Sequence, residues 1–86
     1  MNKIKKWYLY IVKCADDSYY TGITINVENR INTHNSGKGA KYTKYRLPVE
    51  LMYMEKLPDR VTAMKREIAV KRLSRIKKEK LISEYK

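Results

Sequence analysis

Tyr10, Tyr20, Arg30, His34 and Glu67 are the residues whose types and spacing could do chemistry. On a helix turning about 100° per residue, Val27, Arg30, Ile31 and His34 fall on one stripe. An arginine and a histidine in the middle of an apolar stripe either face a polar cleft or are paired inside, because burying them unpartnered is costly. Taken singly, Arg30 can snorkel outward and His34 can be a satisfied edge histidine. Aligned together beside a tyrosine-rich sheet, they favour a cleft. Arginine would bring a fixed donor fork for an anion, and histidine a group that can take up a proton near neutrality. Glu67 is the one acid between Asp59 and Glu79 in a strongly basic segment. It reads either as an i,i+4 partner of Lys71 or as a hard oxygen ligand for Mg²⁺ or Mn²⁺, ions that keep several waters and need few protein carboxylates.

The surroundings suit a polyanionic substrate. Twenty Lys and Arg against nine Asp and Glu give a net charge of +11, which concentrates and captures polyanions, nucleic acid foremost. Eight Tyr, one Trp and no Phe mean that every aromatic ring carries a hydrogen-bonding tip, as suits stacking on bases or touching phosphates. Between Gly37 and Arg46 stand Lys38, Lys41, Lys44 and Arg46 with no acid, interleaved with Tyr42 and Tyr45. That pattern reads as a nucleic-acid-gripping loop, with Arg72, Arg75, Lys77, Lys78 and Lys80 able to extend it.

These groups need a scaffold, and 86 residues make one domain, expected over 1–86 with its core at about 7–82. Residues 7–13 are β-branched and aromatic, a strand by composition. Ala15, Asp16 and Asp17 form a turn, and 18–24 returns as the second strand of a hairpin. A three-residue loop pairs Tyr10 with Gly22 and Tyr20 with Val12, placing both tyrosines on one face as diagonal neighbours. Asn26 caps a helix running to 35 or 36, and the sequence Ser36-Gly37-Lys38-Gly39 breaks it. A third strand follows Pro48. Asp59 caps a helix carrying Val61, Met64, Ile68 and Leu73 as its apolar residues, and Ser74 caps a last one over 75–85. The order ββαβαα implies an α+β fold, a small three-stranded antiparallel sheet flanked by helices.

The longest unbroken apolar run, residues 7–12, is far short of the ~20 needed to span a bilayer. No apolar stretch or cleavage site follows the basic residues 1–6, which argues against secretion. Cys14 is the only cysteine, so it reads as a small buried hydrophobe in a reducing cytoplasm.

Together these residues resemble the GIY-YIG nuclease family. Tyr8-Leu9-Tyr10 stands where its GIY element falls and Tyr20-Thr21-Gly22 where its YIG element falls. Arg30 matches the helix arginine, His34 a position held by His or Tyr, and Glu67 the metal-binding glutamate. The likeness spans about residues 7–82, and the tract 35–43 is similar to the small stand-alone branch. Ile23 follows Gly22 where repair-type members carry lysine, and the asparagine that some members place late in the domain has no counterpart. The resemblance implies hydrolysis of nucleic-acid phosphodiesters, DNA before RNA, with one Mg²⁺ or Mn²⁺ ion on Glu67. It further implies that Tyr20 or Tyr10 orients the attacking water or takes its proton, that Arg30 stabilises the transition state, and that His34 positions the water or relays the proton. The alternative reading is a catalytically idle DNA- or RNA-binding module derived from the same fold.

Overall fold

The computed structural model describes residues 6–85, so the basic residues 1–5 lie outside the described residues. Strands β1 (Trp7–Lys13) and β2 (Tyr19–Thr24) form the hairpin, and helix α1 (Val27–Asn35) follows. A single helical turn, α2 (Lys41–Lys44), leads to strand β3 (Glu50–Leu57) and helices α3 (Arg60–Lys71) and α4 (Arg75–Ser83). The sheet is antiparallel with order β2-β1-β3. Tyr10 pairs with Gly22 and Val12 with Tyr20, the register that the three-residue turn requires. In that turn Asp17 adopts φ +69°, a left-handed conformation that Asp tolerates better than most residues.

The helix starts follow from side-chain caps. Asn26 accepts from the Asn29 amide at 3.0 Å, Asp59 from that of Thr62 at 2.8 Å and Ser74 from that of Lys77 at 3.3 Å. The end of α1 is tied to the start of β3 by Asn35, whose amide donates to the Val49 carbonyl and whose oxygen accepts the Val49 amide at 2.7 Å. At the other side of the molecule Glu55 on β3 receives Arg66 of α3 at 3.0 Å and the Tyr53 hydroxyl at 2.6 Å. Burial, then the Glu55 carboxylate, pushes the Tyr53 phenol up to about 12, so it stays a donor.

The two faces of the sheet carry separate cores. Tyr10, Val12, Cys14, Val27 and Val49 pack on the α1 side, with Tyr8, Tyr20 and Ile31 around them. Leu9, Ile11 and Val70 pack on the opposite side with Tyr53, Leu73 and Leu81. Cys14 is buried and free, and desolvation holds its thiol proton on.

Two elements differ from the expected pattern. The basic segment after Gly39 is not all loop: the Ala40 carbonyl accepts the amides of Thr43 and Lys44 at 3.2 Å, closing the turn α2 without a side-chain cap. The order is therefore ββααβαα. In α3 the apolar residues Val61, Met64 and Ile68 are 60%, 43% and 52% exposed. Ala63 and Val70 face the sheet instead, because a small side chain at 63 lets the helix approach closely.

Candidate active site

Tyr10 starts in the middle of β1 and its ring lies across Gly22 of β2. A Cβ at Gly22 would come within 2.5 Å of the Tyr10 hydroxyl and 2.7 Å of its Cζ. Only a residue without a side chain leaves room for the ring, which accounts for the glycine. Gly22→Ala is expected to drive Tyr10 from its place and cost about 1–3 kcal/mol, the usual penalty for overpacking, read as a lower urea midpoint at unchanged m-value.

From that position the Tyr10 hydroxyl meets two residues of α1. Its oxygen lies 2.8 Å from His34 Nε2 and accepts from Arg30 Nε at 3.4 Å. The α1 stripe thus gives both outcomes: His34 is fully buried and paired, whereas Arg30 is half-buried. No ion pair among the described residues includes Arg30. A half-buried guanidinium without a carboxylate is a standing attraction for an anion. Burial raises the Tyr10 phenol above its ordinary range, against the opposing pull of Arg30. His34 moves down, through burial first and the Arg30 charge second.

Tyr20 lies beside both, 6.5 Å from the Tyr10 ring and 5.4 Å from that of His34. Its other neighbour is Tyr42 of α2, stacked at 5.9 Å with 21° between the planes. Arg46 closes the column 4.0 Å from the Tyr42 ring centre. It donates to the Tyr42 carbonyl at 2.6 Å and to Asp16 of the hairpin turn at 3.0 Å. Arg46 is therefore a clasp holding α2 to the hairpin, its charge already partnered. Lys38, Lys41 and Lys44 are exposed and stand outside the ion pairs among the described residues.

Glu67 comes from α3, one turn after Ala63 and three residues before Val70, the two buried positions that set the helix against the sheet. Its side chain is half-buried and its carboxylate meets Lys71 Nζ at 3.3 Å. Its charge reaches Tyr10, where it helps to hold the phenol proton on. A groove of about 210 Å³ beside Tyr20 is lined by Tyr19, Thr21, Tyr42, Lys71 and Lys78. A larger groove, about 570 Å³, lies between Tyr8, α1 and β3; it is mainly apolar and brings Glu28 rather than a cation.

Sequence reading missed Thr43. It is fully buried, and its hydroxyl lies 2.8 Å from His34 Nδ1. Nothing in a basic, tyrosine-rich tract marks a threonine as a partner of a histidine nine positions away. Asp16, read as a turn residue, is the acid that neutralises Arg46.

The matched family model is that of the GIY-YIG catalytic domain, over residues 6–80. The chain belongs to the GIY-YIG family. The family is one of nucleases. Among its relatives is a UPF0213 protein of Staphylococcus haemolyticus, 58% identical over 79 residues, covering 92% of this chain and 96% of the relative. One from Natronomonas pharaonis is 49% identical over 77 residues, 90% of this chain and 91% of the relative. Two solution structures share the fold. One, of the E. faecalis protein EF2693, has TM-score 0.64 at 42% identity, covering 96% of this chain and 88% of that one. The other, a UPF0213 protein of Bacillus halodurans, has TM-score 0.59 at 50% identity, covering 91% and 83%.

Burial of His34 makes one prediction independent of activity. The unfolded chain protonates histidine near its ordinary value of about 6.5, while the folded chain resists until lower pH. The stabilisation is complete above about pH 6.5 and is lost as pH falls through the folded value. Denaturation midpoints should hold between about pH 7 and 8 and drop below about 6.5, and His34→Gln should flatten that limb.

Proposed function

We propose that this GIY-YIG domain is a divalent-metal-dependent endonuclease that hydrolyses phosphodiester bonds in nucleic acid, DNA before RNA. The observation that carries the reading is Arg30, half-buried and paired with no carboxylate among the described residues, on the Tyr10 hydroxyl, with Glu67 half-buried on the helix that packs against the same hairpin. A module that only binds phosphate gains nothing from a half-buried carboxylate, which repels its ligand. The presence of Glu67 in this setting therefore favours an enzyme over an idle binder.

The donor set fits one hard ion. Among the described residues no cluster of three acids, histidines or cysteines occurs, so Glu67 would hold Mg²⁺ or Mn²⁺ with water and substrate oxygens completing its shell. The carboxylate already accepts a cation, the Lys71 ammonium. When bound, such an ion neutralises charge at the scissile phosphate and the leaving oxygen.

The remaining work falls to the chain's own groups. Arg30 holds the phosphate and meets the charge that grows on it in the transition state. Tyr20, half-exposed between Tyr42 and His34, orients the attacking water. His34 has both ring nitrogens engaged and no exposure, so it acts through Tyr10 rather than on the water itself. Lys38, Lys41 and Lys44 grip flanking phosphates, and Tyr42, stacked between Tyr20 and Arg46, offers the exposed edge of its ring beside them. Neutralising the three lysines together should weaken binding with little sequence bias and flatten the salt dependence of log K by roughly 0.7–0.9 for each phosphate no longer neutralised. An unchanged slope would assign binding to another face.

No helix among the described residues is long and apolar enough to cross a membrane, and a single free buried cysteine suits a reducing cytoplasm. Incubating the purified chain with labelled single-stranded, duplex and branched DNA and RNA tests the function, with Mg²⁺, Mn²⁺ or chelator. Cleavage that chelator stops is expected; binding without cleavage of every substrate would favour the idle module.

A further inference from the structure

Tyr10 and His34 are 1% and 0% exposed, so each of their hydrogens must find an acceptor inside the protein. Among the described residues the Tyr10 oxygen has two hydrogen-bond partners, His34 Nε2 at 2.8 Å and Arg30 Nε at 3.4 Å. Arginine only donates. If Nε2 also carried a hydrogen, the Tyr10 oxygen would face two donors and its own hydrogen would have no acceptor. Ionising the phenol offers no escape, because burial holds its proton on. Nε2 must therefore be a bare lone pair, and the hydrogen of the neutral ring sits on Nδ1.

That hydrogen has one close acceptor among the described residues. Thr43 Oγ1 lies 2.8 Å from Nδ1 and can pass its own hydrogen to the Ala40 carbonyl at 3.0 Å. In this arrangement the Ala40 amide, which points at Nδ1 from 3.4 Å, gives up that contact; residue 40 is part-exposed, whereas the Tyr10 hydroxyl is buried. Every donor in the series then has an acceptor: Arg30 to Tyr10, Tyr10 to His34, His34 to Thr43, Thr43 to the Ala40 carbonyl. We infer that Thr43 is a positioning residue that fixes the Nδ1–H tautomer of His34 and, through it, turns the Tyr10 lone pair toward Arg30. With the other tautomer the phenol hydrogen would point at the guanidinium and push it away. Gly39 belongs to the same device, since a Cβ there would meet His34 Nδ1 and lie 2.8 Å from its Cα. The short turn α2 is thus the back wall of the site, and it acts on Arg30 through His34 and Tyr10.

The consequence for cleavage rests on the nuclease reading above, but the tautomer does not, and the experiment separates them. His34 is the only histidine, so its ring nitrogens can be assigned unambiguously by long-range proton–nitrogen correlation NMR at about pH 7.5, well above the ordinary histidine range. In the wild-type chain Nδ1 should show the protonated shift and Nε2 the unprotonated one. Thr43→Val should lose this preference and shift the Arg30 Nε–H signal, and Thr43→Ser should restore both. In single-turnover cleavage at saturating substrate, Thr43→Val should be slower by roughly 10- to 100-fold, with affinity unchanged and Thr43→Ser near wild type. A protonated Nε2 in the wild-type chain would overturn the inference whether or not the valine variant folds. So would a Thr43→Val protein with the wild-type tautomer. Wild-type tautomer behaviour with no cleavage by any variant would leave Thr43 in its role and remove the nuclease reading alone.

Discussion

Arg30→Ala is expected to lower the single-turnover cleavage rate by on the order of 10²–10³, the usual loss when one donor to a developing charge is removed. The size follows from where the guanidinium sits. It is half-buried, lacks a carboxylate partner among the described residues, and is held at Nε by the Tyr10 oxygen. Its remaining hydrogens have no acceptor among the described residues, so they are available when charge develops on the phosphate. Affinity should fall far less, because ground-state grip is shared with Lys38, Lys41 and Lys44. Arg30→Lys should restore little, since a point charge cannot both accept Tyr10's orientation at Nε and keep a fork toward the phosphate. Rate and affinity are separated by measuring cleavage at saturating enzyme. If affinity collapsed while the saturated rate survived, Arg30 would be a grip residue.

Glu67→Gln should have the larger effect: no cleavage at any practical Mg²⁺ or Mn²⁺ concentration. The substitution keeps the shape of the side chain and removes the charge that would hold the ion. Binding of nucleic acid in chelator should stay the same or tighten, because a negative charge leaves a cleft meant for phosphate. Stability should move by only a few tenths of a kcal/mol, since the Lys71 partner is about half-exposed and such i,i+4 pairs contribute little. Lys71 adds a check on the same carboxylate. It is the resident cation of Glu67, so Lys71→Ala should let Mn²⁺ bind more tightly. A purely structural pair predicts the reverse set: a small loss of stability and no effect on chemistry.

Much of this site was legible in the chain, for identifiable reasons. A three-residue turn leaves one register for the hairpin, and that register alone puts Tyr10 over Gly22 and beside Tyr20. The positions of Arg30 and His34 followed from helical spacing after the Asn26 cap. Glu67 could be placed because its i−4 and i+3 neighbours, Ala63 and Val70, are the residues that α3 buries. The burial of α3 itself was harder. Val61, Met64 and Ile68 have the spacing of a core stripe, yet they face solvent; periodicity gives a helix its apolar side but cannot say that a small alanine is what the sheet will accept. Helix α2 was invisible for another reason. Four residues hold too little periodicity to register, and its start has no side-chain cap. With α2 hidden, so was Thr43, whose importance comes from a tertiary contact to His34. Arg46 carried a charge signal that it shares with Asp16. Composition counts charges and cannot see which are already paired.

Cutting of nucleic acid with a metal held by Glu67 is tested most directly by following one labelled oligonucleotide with wild-type and Glu67→Gln protein at saturating enzyme and Mg²⁺, with binding monitored in the same samples. Both proteins should bind, only the wild type should cut, and chelator should reduce it to the variant's level. Equal cutting by the two proteins, or binding by both with cutting by neither, would contradict the account.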